Sequence, residues 1–227
     1  MTGLCVVYNT KELIEVAFNS IRKFHPSLHI LIIDNSDAQN PCYKFTDSLR
    51  SKTTEVMHTN SNIGHGRGMD LGINKIASEY ALIFDSDAEM LKSPLSGMLG
   101  MMESDTFGCG WINEIGDDGF DYGTPGRKHT RRIPYLHPYF QLINVSNYKK
   151  YKPYCHHGAP CYQTMIDIYN RGLSERILKS FPGLGHTSGQ GINWTGKPSK
   201  YVKHDFGGTR MANKKAGKKE IIGKWDK

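Results

Sequence analysis

Four short apolar runs shape the first half of the chain, at residues 4–8, 28–33, 54–58 and 80–84, and acidic, amide or glycine residues follow them. Helical periodicity recurs between the runs. Within 11–24, Leu13, Val16, Ala17, Ser20, Ile21 and Phe24 fall at three- and four-residue steps, one face of an amphipathic helix. Thr10 is placed to cap it and His25-Pro26 to end it. A short helical stretch is expected around 43–51, and Met69, Ile73, Ile76 and Ala77 mark a further helical face behind a glycine-rich turn at 60–68. Strand–helix–strand units at this spacing predict an α/β fold built on a parallel, right-handed, doubly wound sheet. Ligands of such sheets bind beyond the carboxyl ends of the strands. The turns that collect on that edge are Asp34, Asn62 to Gly68, and Asp85 to Asp87.

The last of these turns has the plainest chemistry. Residues 80–87 read Tyr-Ala-Leu-Ile-Phe-Asp-Ser-Asp, an apolar strand delivering two carboxylates with one small residue between them. Two carboxylates there can hold a hard divalent cation, which in turn holds phosphate oxygens. Asp and Ser also favour turns, through side-chain bonds to the backbone. The segment alone leaves both uses open. The glycine-rich turn Gly64-His65-Gly66-Arg67-Gly68 lacks the Lys-Ser/Thr pair of a P-loop and the spacing of a dinucleotide fingerprint, so an ATPase reading is poor.

Composition sets the outer bounds. The 227 residues can bury a proper core, and 38% hydrophobic content with a mean hydropathy of -0.51 suits a globular protein. No stretch approaches the roughly 20 apolar residues of a membrane span. Met1-Thr2-Gly3 runs straight into the first apolar run, so no signal peptide is expected. Five scattered cysteines look like reduced thiols, and a cytoplasmic protein is expected. The net charge of +7 is concentrated late, with Lys197, Lys200, Lys203, Arg210, Lys214, Lys215, Lys218, Lys219, Lys224 and Lys227 beyond residue 196. Such a run is either a solvated tail or a contact for DNA or an anionic membrane surface.

The succession Val6-Val7-Tyr8-Asn9, Ile32-Ile33-Asp34-Asn35-Ser36, Asn62-Ile63-Gly64…Gly68-Met69-Asp70-Leu71-Gly72-Ile73 and Glu79-Tyr80…Phe84-Asp85-Ser86-Asp87 resembles family 2-like glycosyltransferases of the GT-A fold, over about the first 95 residues. The resemblance implies a mostly parallel, Rossmann-like sheet in one domain, 1–210. Its nucleotide-sugar half would be 1–105 and its acceptor-side half 106–210, with 211–227 a basic tail. It implies that Tyr8, with Asn9, and Asp34 contact the base or ribose of a nucleotide sugar. Asn62 and the turn Gly64, Gly66, Arg67 and Gly68 would line the same pocket. Asp85-Ser86-Asp87 would be the metal-binding DXD motif, holding Mn²⁺ or Mg²⁺.

The second half carries less. Residues 137–148 look like the strand that returns to the sheet after the acceptor loop. Residues 201–209 look like the late strand whose histidine completes the metal shell, which makes His204 a ligand beside Asp85 and Asp87; His186 is a second candidate. The family's Glu-Asp pair is missing where a helix should open near 159–171, because the chain there reads His157-Gly158-Ala159-Pro160-Cys161. Asp167 and Asp118 are the remaining candidates for the general base. Cys155-His156-His157…Cys161 fits no common zinc spacing. The implied activity is metal-dependent transfer of a sugar from a nucleotide diphosphate donor, expected to be UDP-linked, to a hydroxyl acceptor, with inversion as a family expectation. A glycan or cell-envelope precursor is the expected acceptor, and a hydroxymethylated DNA base, as in phage-type enzymes, the alternative. A nucleotidyltransferase and a non-catalytic nucleic-acid-binding protein are the competing classes.

Overall fold

The protein is described by a computed structural model covering residues 1–155, 158–185 and 199–204. In chain order the elements are β1 (Thr2–Val7), α1 (Lys11–Phe24), β2 (His29–Asp34), α2 (Pro41–Ser48), β3 (Thr54–His58), α3 (His65–Lys75), β4 (Tyr80–Phe84), β5 (Ala88–Met90), α4 (Leu95–Leu99), β6 (Gly108–Ile115), β7 (Ile133–Asn144), α5 (Val145–Tyr148), α6 (Tyr162–Asn170), α7 (Ser174–Ile177), β8 (Leu178–Ser180) and β9 (Val202–His204). Seven strands form one sheet in the order β3-β2-β1-β4-β7-β6-β8. The pairs β1–β2, β2–β3, β1–β4 and β6–β8 are parallel, while β7 runs antiparallel to both β4 and β6. The expected mostly parallel α/β sheet is therefore present. Because β7 pairs with β4, one sheet spans both sequence halves.

Both faces of the sheet are covered, which is why its strands read as unbroken apolar runs. Leu4, Val6, Leu31 and Ile33 pack on one face with Met69 and Ile73 of α3 and Met165 and Ile168 of α6. Cys5, Val7, Ile30 and Ile32 pack on the other with Ile14, Phe18 and Ile21 of α1. Helix α3 lies unusually close to β1, since a methyl group on Gly68 would come within 2.8 Å of Val6 and one on Gly72 within 2.3 Å of Leu4. The chain winds outward from β1 through β2 to β3, then returns to the far side of β1 to form β4. That reversal opens a crevice between the carboxyl ends of β1 and β4, the topological switch point where ligands of open sheets bind.

Several local expectations shift. Thr10 precedes α1 but makes no capping bond. Its Oγ1 lies instead 3.4 Å from Ser86 Oγ, across the crevice. The helix near 43–51 forms at Pro41–Ser48, where Asn40 accepts a bond from the Cys42 amide and Pro41 suits the first turn. The strand expected over 137–148 begins at Ile133 and stops at Asn144, whose side chain caps α5. Ala77 is exposed, so the buried face of α3 runs through Met69, Gly72 and Ile73. Helix α6 falls within the expected 159–171. Glu114 and Ile115, expected in a loop, belong to β6. Among the described residues, no helix is long and apolar enough to cross a membrane. The 211–227 tail, His186 and the His156-His157 pair lie outside the described residues.

All five cysteines are unpaired, and only Cys155 is other than fully buried. Burial pushes the Cys109 and Cys161 thiols up to about 12, which keeps them protonated at neutral pH. Native protein treated with a thiol reagent at pH 8 is expected to label fast at Cys155 only, with all five reacting in guanidinium. Mass mapping that finds a second fast site would contradict this packing.

Candidate metal and nucleotide site at the carboxyl edge

The Asp85-Ser86-Asp87 segment follows β4 directly and is pinned on both sides. Asp85 N donates to Tyr139 O at 2.8 Å, and Ala88 N donates to Asp85 O at 3.0 Å, closing a tight turn. Ser86 is buried against Thr10. The chain then enters β5, which pairs antiparallel with β9 so that Ala88 stands opposite His204. Met90 N donates to Ser20 Oγ, anchoring β5 on α1. This register brings His204, from the far end of the sequence, beside the two aspartates.

Asp85, Asp87 and His204 each offer a ligand atom, and the three atoms lie within 4.8 Å of one another. It is the only group of three or more such side chains found among the described residues. His204 Nε2 stands 3.2 Å from Asp87 Oδ1 and 3.6 Å from Asp85 Oδ2. The His204 ring stacks on Tyr139, with centroids 4.6 Å apart and planes 21° apart. Tyr139 is itself fully buried and bonded through its hydroxyl to the Gly185 backbone. Burial works against a charged His204, but the bonds to Asp85 and Asp87 outweigh it and raise its pKa to about 9. Burial likewise works against the Asp85 carboxylate, yet His65 and His204 hold it well below the usual carboxylate range.

The residues fit a divalent cation. Asp85 Oδ1 is buried and makes no hydrogen bond among the described residues, with the His65 ring 3.2 Å away, so the protein alone does not fully satisfy this carboxylate. Two carboxylates and one imidazole form the mixed oxygen-rich donor set that Mn²⁺ accepts.

His65, the first residue of α3, was not singled out by the sequence. Its Nε2 lies 3.2 Å from Asp85 Oδ1. Burial lowers its pKa, but the nearby Asp85 charge prevails and the net shift is upward. Ten histidines offer no compositional signal for it. The topology does, because α3 precedes β4 and its start must lie on the carboxyl edge.

The other expected residues distribute along the same edge. Tyr8 lies just past β1, half-buried. Asn9 adopts a left-handed backbone (φ 55°) and clasps the β2 turn, donating from Nδ2 to Asp37 Oδ2 at 2.9 Å and accepting from Asp37 N at 3.1 Å. Asp34 is fully buried; it accepts from Ser36 N and Thr46 Oγ1, and His58 Nδ1 is 3.2 Å away. Its carboxylate orders the β2 turn. Asn62 Oδ1 accepts from Gly64 N at 3.0 Å. Gly64 carries φ +89°, a conformation natural to glycine, and α3 begins immediately after it. Gly66, Arg67 and Gly68 are therefore helical, not turn, residues, with Arg67 exposed and Gly68 packed on Val6.

The two acids expected as base lie outside the cluster. Asp118 sits in the β6–β7 connection, accepting from Phe120 N and Arg127 Nη1, with His129 Nε2 at 3.0 Å. Burial would raise its pKa, but these partners win and lower it. Asp167, in α6, pairs with Arg171 at 2.9 Å and accepts from Lys152 N at 3.1 Å. A cavity of about 520 Å³ lined by Thr2, His29, Lys52 and Lys75 lies at the opposite, amino-terminal edge of the strands, away from this chemistry.

Known structures share this architecture. A mannosyltransferase from Pyrobaculum calidifontis, in complex with GDP-Man and Mn²⁺, superposes with a TM-score of 0.57 at 12% identity, covering 80% of this chain and 54% of that one. The S. aureus protein TarS, residues 1-349 with UDP-GlcNAc, gives 0.56 at 16% identity, covering 90% of this chain and 58% of that one. The galactosyltransferase LgtC, in complex with donor and acceptor sugar analogues, gives 0.53 at 15%, covering 96% of this chain and 95% of that one. At these identities the likeness shows the GT-A fold, and the chain spans little more than half the length of the first two. No curated protein matches the sequence. The sequence pattern of Glycosyl transferase family 2 matches residues 4–177, well over half of the 227, and the chain belongs to that family.

Proposed function

We propose that this protein transfers a glycosyl group from a nucleoside diphosphate sugar, UDP-linked, to a hydroxyl acceptor, using Mn²⁺ or Mg²⁺ held by Asp85, Asp87 and His204. The observation that carries this reading is the convergence of those three side chains at the crevice between β1 and β4. A bound cation would act there as a Lewis acid, neutralising charge on the departing diphosphate. Tyr8, Asn9, Asn62, Gly64, Gly66, Arg67 and Gly68 surround the donor's nucleotide end, with Asp34 and Ser86 fixing the turns that carry it. Both candidate acids are paired, Asp118 with Arg127 and Asp167 with Arg171, but Asp118 is the better placed for the acceptor proton, because the β6–β7 connection rises from the edge where β4 ends. The unpaired cysteines favour a reducing, cytoplasmic setting.

The acceptor is a glycan or cell-envelope precursor. The charge of +7, concentrated beyond residue 196, favours a second reading in which the acceptor is a hydroxymethylated base in DNA. Thermal melting against a panel of nucleoside diphosphate sugars, with and without Mn²⁺, tests the donor. A matching donor at about 100-fold its Kd should raise the midpoint by roughly 5–10 °C, only when metal is present. Stabilisation that persists in EDTA, or none from any sugar nucleotide with Mn²⁺, would overturn the metal-bridged donor. Transfer assayed on hydroxymethylated DNA and on oligosaccharide separates the two acceptors.

A further inference from the structure

His65 stands beside the proposed cation site without belonging to the three-residue cluster. Its place is fixed from several directions. Gly64 is held at its amide by Asn62 Oδ1 and at its carbonyl by Asn35 Nδ2, at 3.3 Å, and by the Gly68 amide. Asn35 is itself buried. Gly68 and Gly72 then let α3 lie directly on β1, so the first residue of the helix is set by packing along its length. The outcome is an imidazole nitrogen 3.2 Å from Asp85 Oδ1. Asp85's other oxygen, Oδ2, faces His204. The two carboxylate oxygens are thus divided between two histidines on opposite sides.

We infer that His65 is a positioning residue for the cation site: its Nε2, 3.2 Å from Asp85 Oδ1, attracts that oxygen electrostatically, so that Oδ2 is the oxygen presented to the metal together with Asp87 and His204. This rests on the preceding reading of those three residues as ligands. The physical need is plain. A carboxylate on a turn can rotate about its terminal bond, and partners that fix ligand orientation are commonly worth 10–100-fold in metal affinity. Without His65, no hydrogen-bond donor among the described residues holds Asp85 Oδ1, and the carboxylate can turn either oxygen toward His204.

The test is Mn²⁺ binding to the donor-free protein, followed by electron paramagnetic resonance of free and bound Mn²⁺. His65→Ala is expected to bind Mn²⁺ roughly 10–100-fold more weakly, with a broadened bound signal. His65→Gln, whose amide nitrogen can occupy the place of Nε2, is expected to return most of the affinity. Melting in EDTA reports whether either variant is simply unfolded; if His65→Ala is, the His65→Gln affinity and signal decide. Affinity and line shape equal to wild type in His65→Ala would overturn the inference. So would equal weakening in both variants with unchanged melting, since Nε2 would then not be the group that matters. Asp87→Asn is the control for the underlying reading: wild-type protein that binds no Mn²⁺, or an Asp87→Asn variant that binds it normally, overturns the ligand assignment itself and this inference with it.

Discussion

Asp87→Asn is expected to reduce metal-dependent sugar transfer by roughly 10³-fold, the upper range for losing one preorganised electrostatic stabiliser. The substitution preserves shape and removes a charge, so it separates the metal role from packing. Asp87 is only 8% exposed at its side chain and lies 3.2 Å from His204, so its oxygen is already committed to the cluster. Far-ultraviolet circular dichroism should be unchanged, because the sheet does not depend on this carboxylate. The loss should appear in kcat at saturating donor and be only partly recovered at high Mn²⁺. Activity within threefold of wild type, or wild-type activity that survives EDTA, would refute the proposed role.

The second large effect is on stability. Gly72→Val is expected to destabilise the protein by about 3 kcal/mol, the upper end of the overpacking range, a fall in Tm of roughly 6–12 °C. A Cβ at this position would sit 2.3 Å from Leu4 Cδ1 and 2.9 Å from Cδ2. Leu4 cannot retreat, being fully buried in a strand paired on both sides. Replacing a helical glycine would otherwise stabilise by a few tenths of a kcal/mol through propensity, so a net loss identifies the contact. Leu4→Ala alone should cost about 2–5 kcal/mol. Combined, the two should cost less than their sum by about 1–3 kcal/mol, because the valine fills space the leucine has left. Strict additivity would show that the helix is held off β1 by something else.

These two residues mark different kinds of legibility. Asp87 was readable because an apolar run ending in two spaced acids has few structural meanings. The segment is a backbone-bonded turn, and the same turn brings both carboxylates beside His204, so the turn and the proposed ligand pair are compatible. Gly68 and Gly72 were readable as glycines but not in their use. In sequence, Gly64 to Gly68 looks like one flexible turn, while in space only Gly64 needs glycine's backbone freedom and Gly68 and Gly72 provide close approach. Periodicity cannot separate these, because a glycine leaves no apolar mark on a helical face.

Local sequence determined the four strands, the helices between them and the order of the turns, since periods of two and 3.6 are set by backbone geometry and survive in any context. It also nominated Asp85, Asp87 and His204. The tertiary structure alone decided that these three meet, because β5 and β9, more than a hundred residues apart, align Ala88 with His204. It alone placed His65 against Asp85 and Tyr139 beneath His204. The physical reason is common to all of these: a side chain's chemistry is written locally, whereas its neighbours are fixed by strand register and by how closely a helix can lie on a sheet.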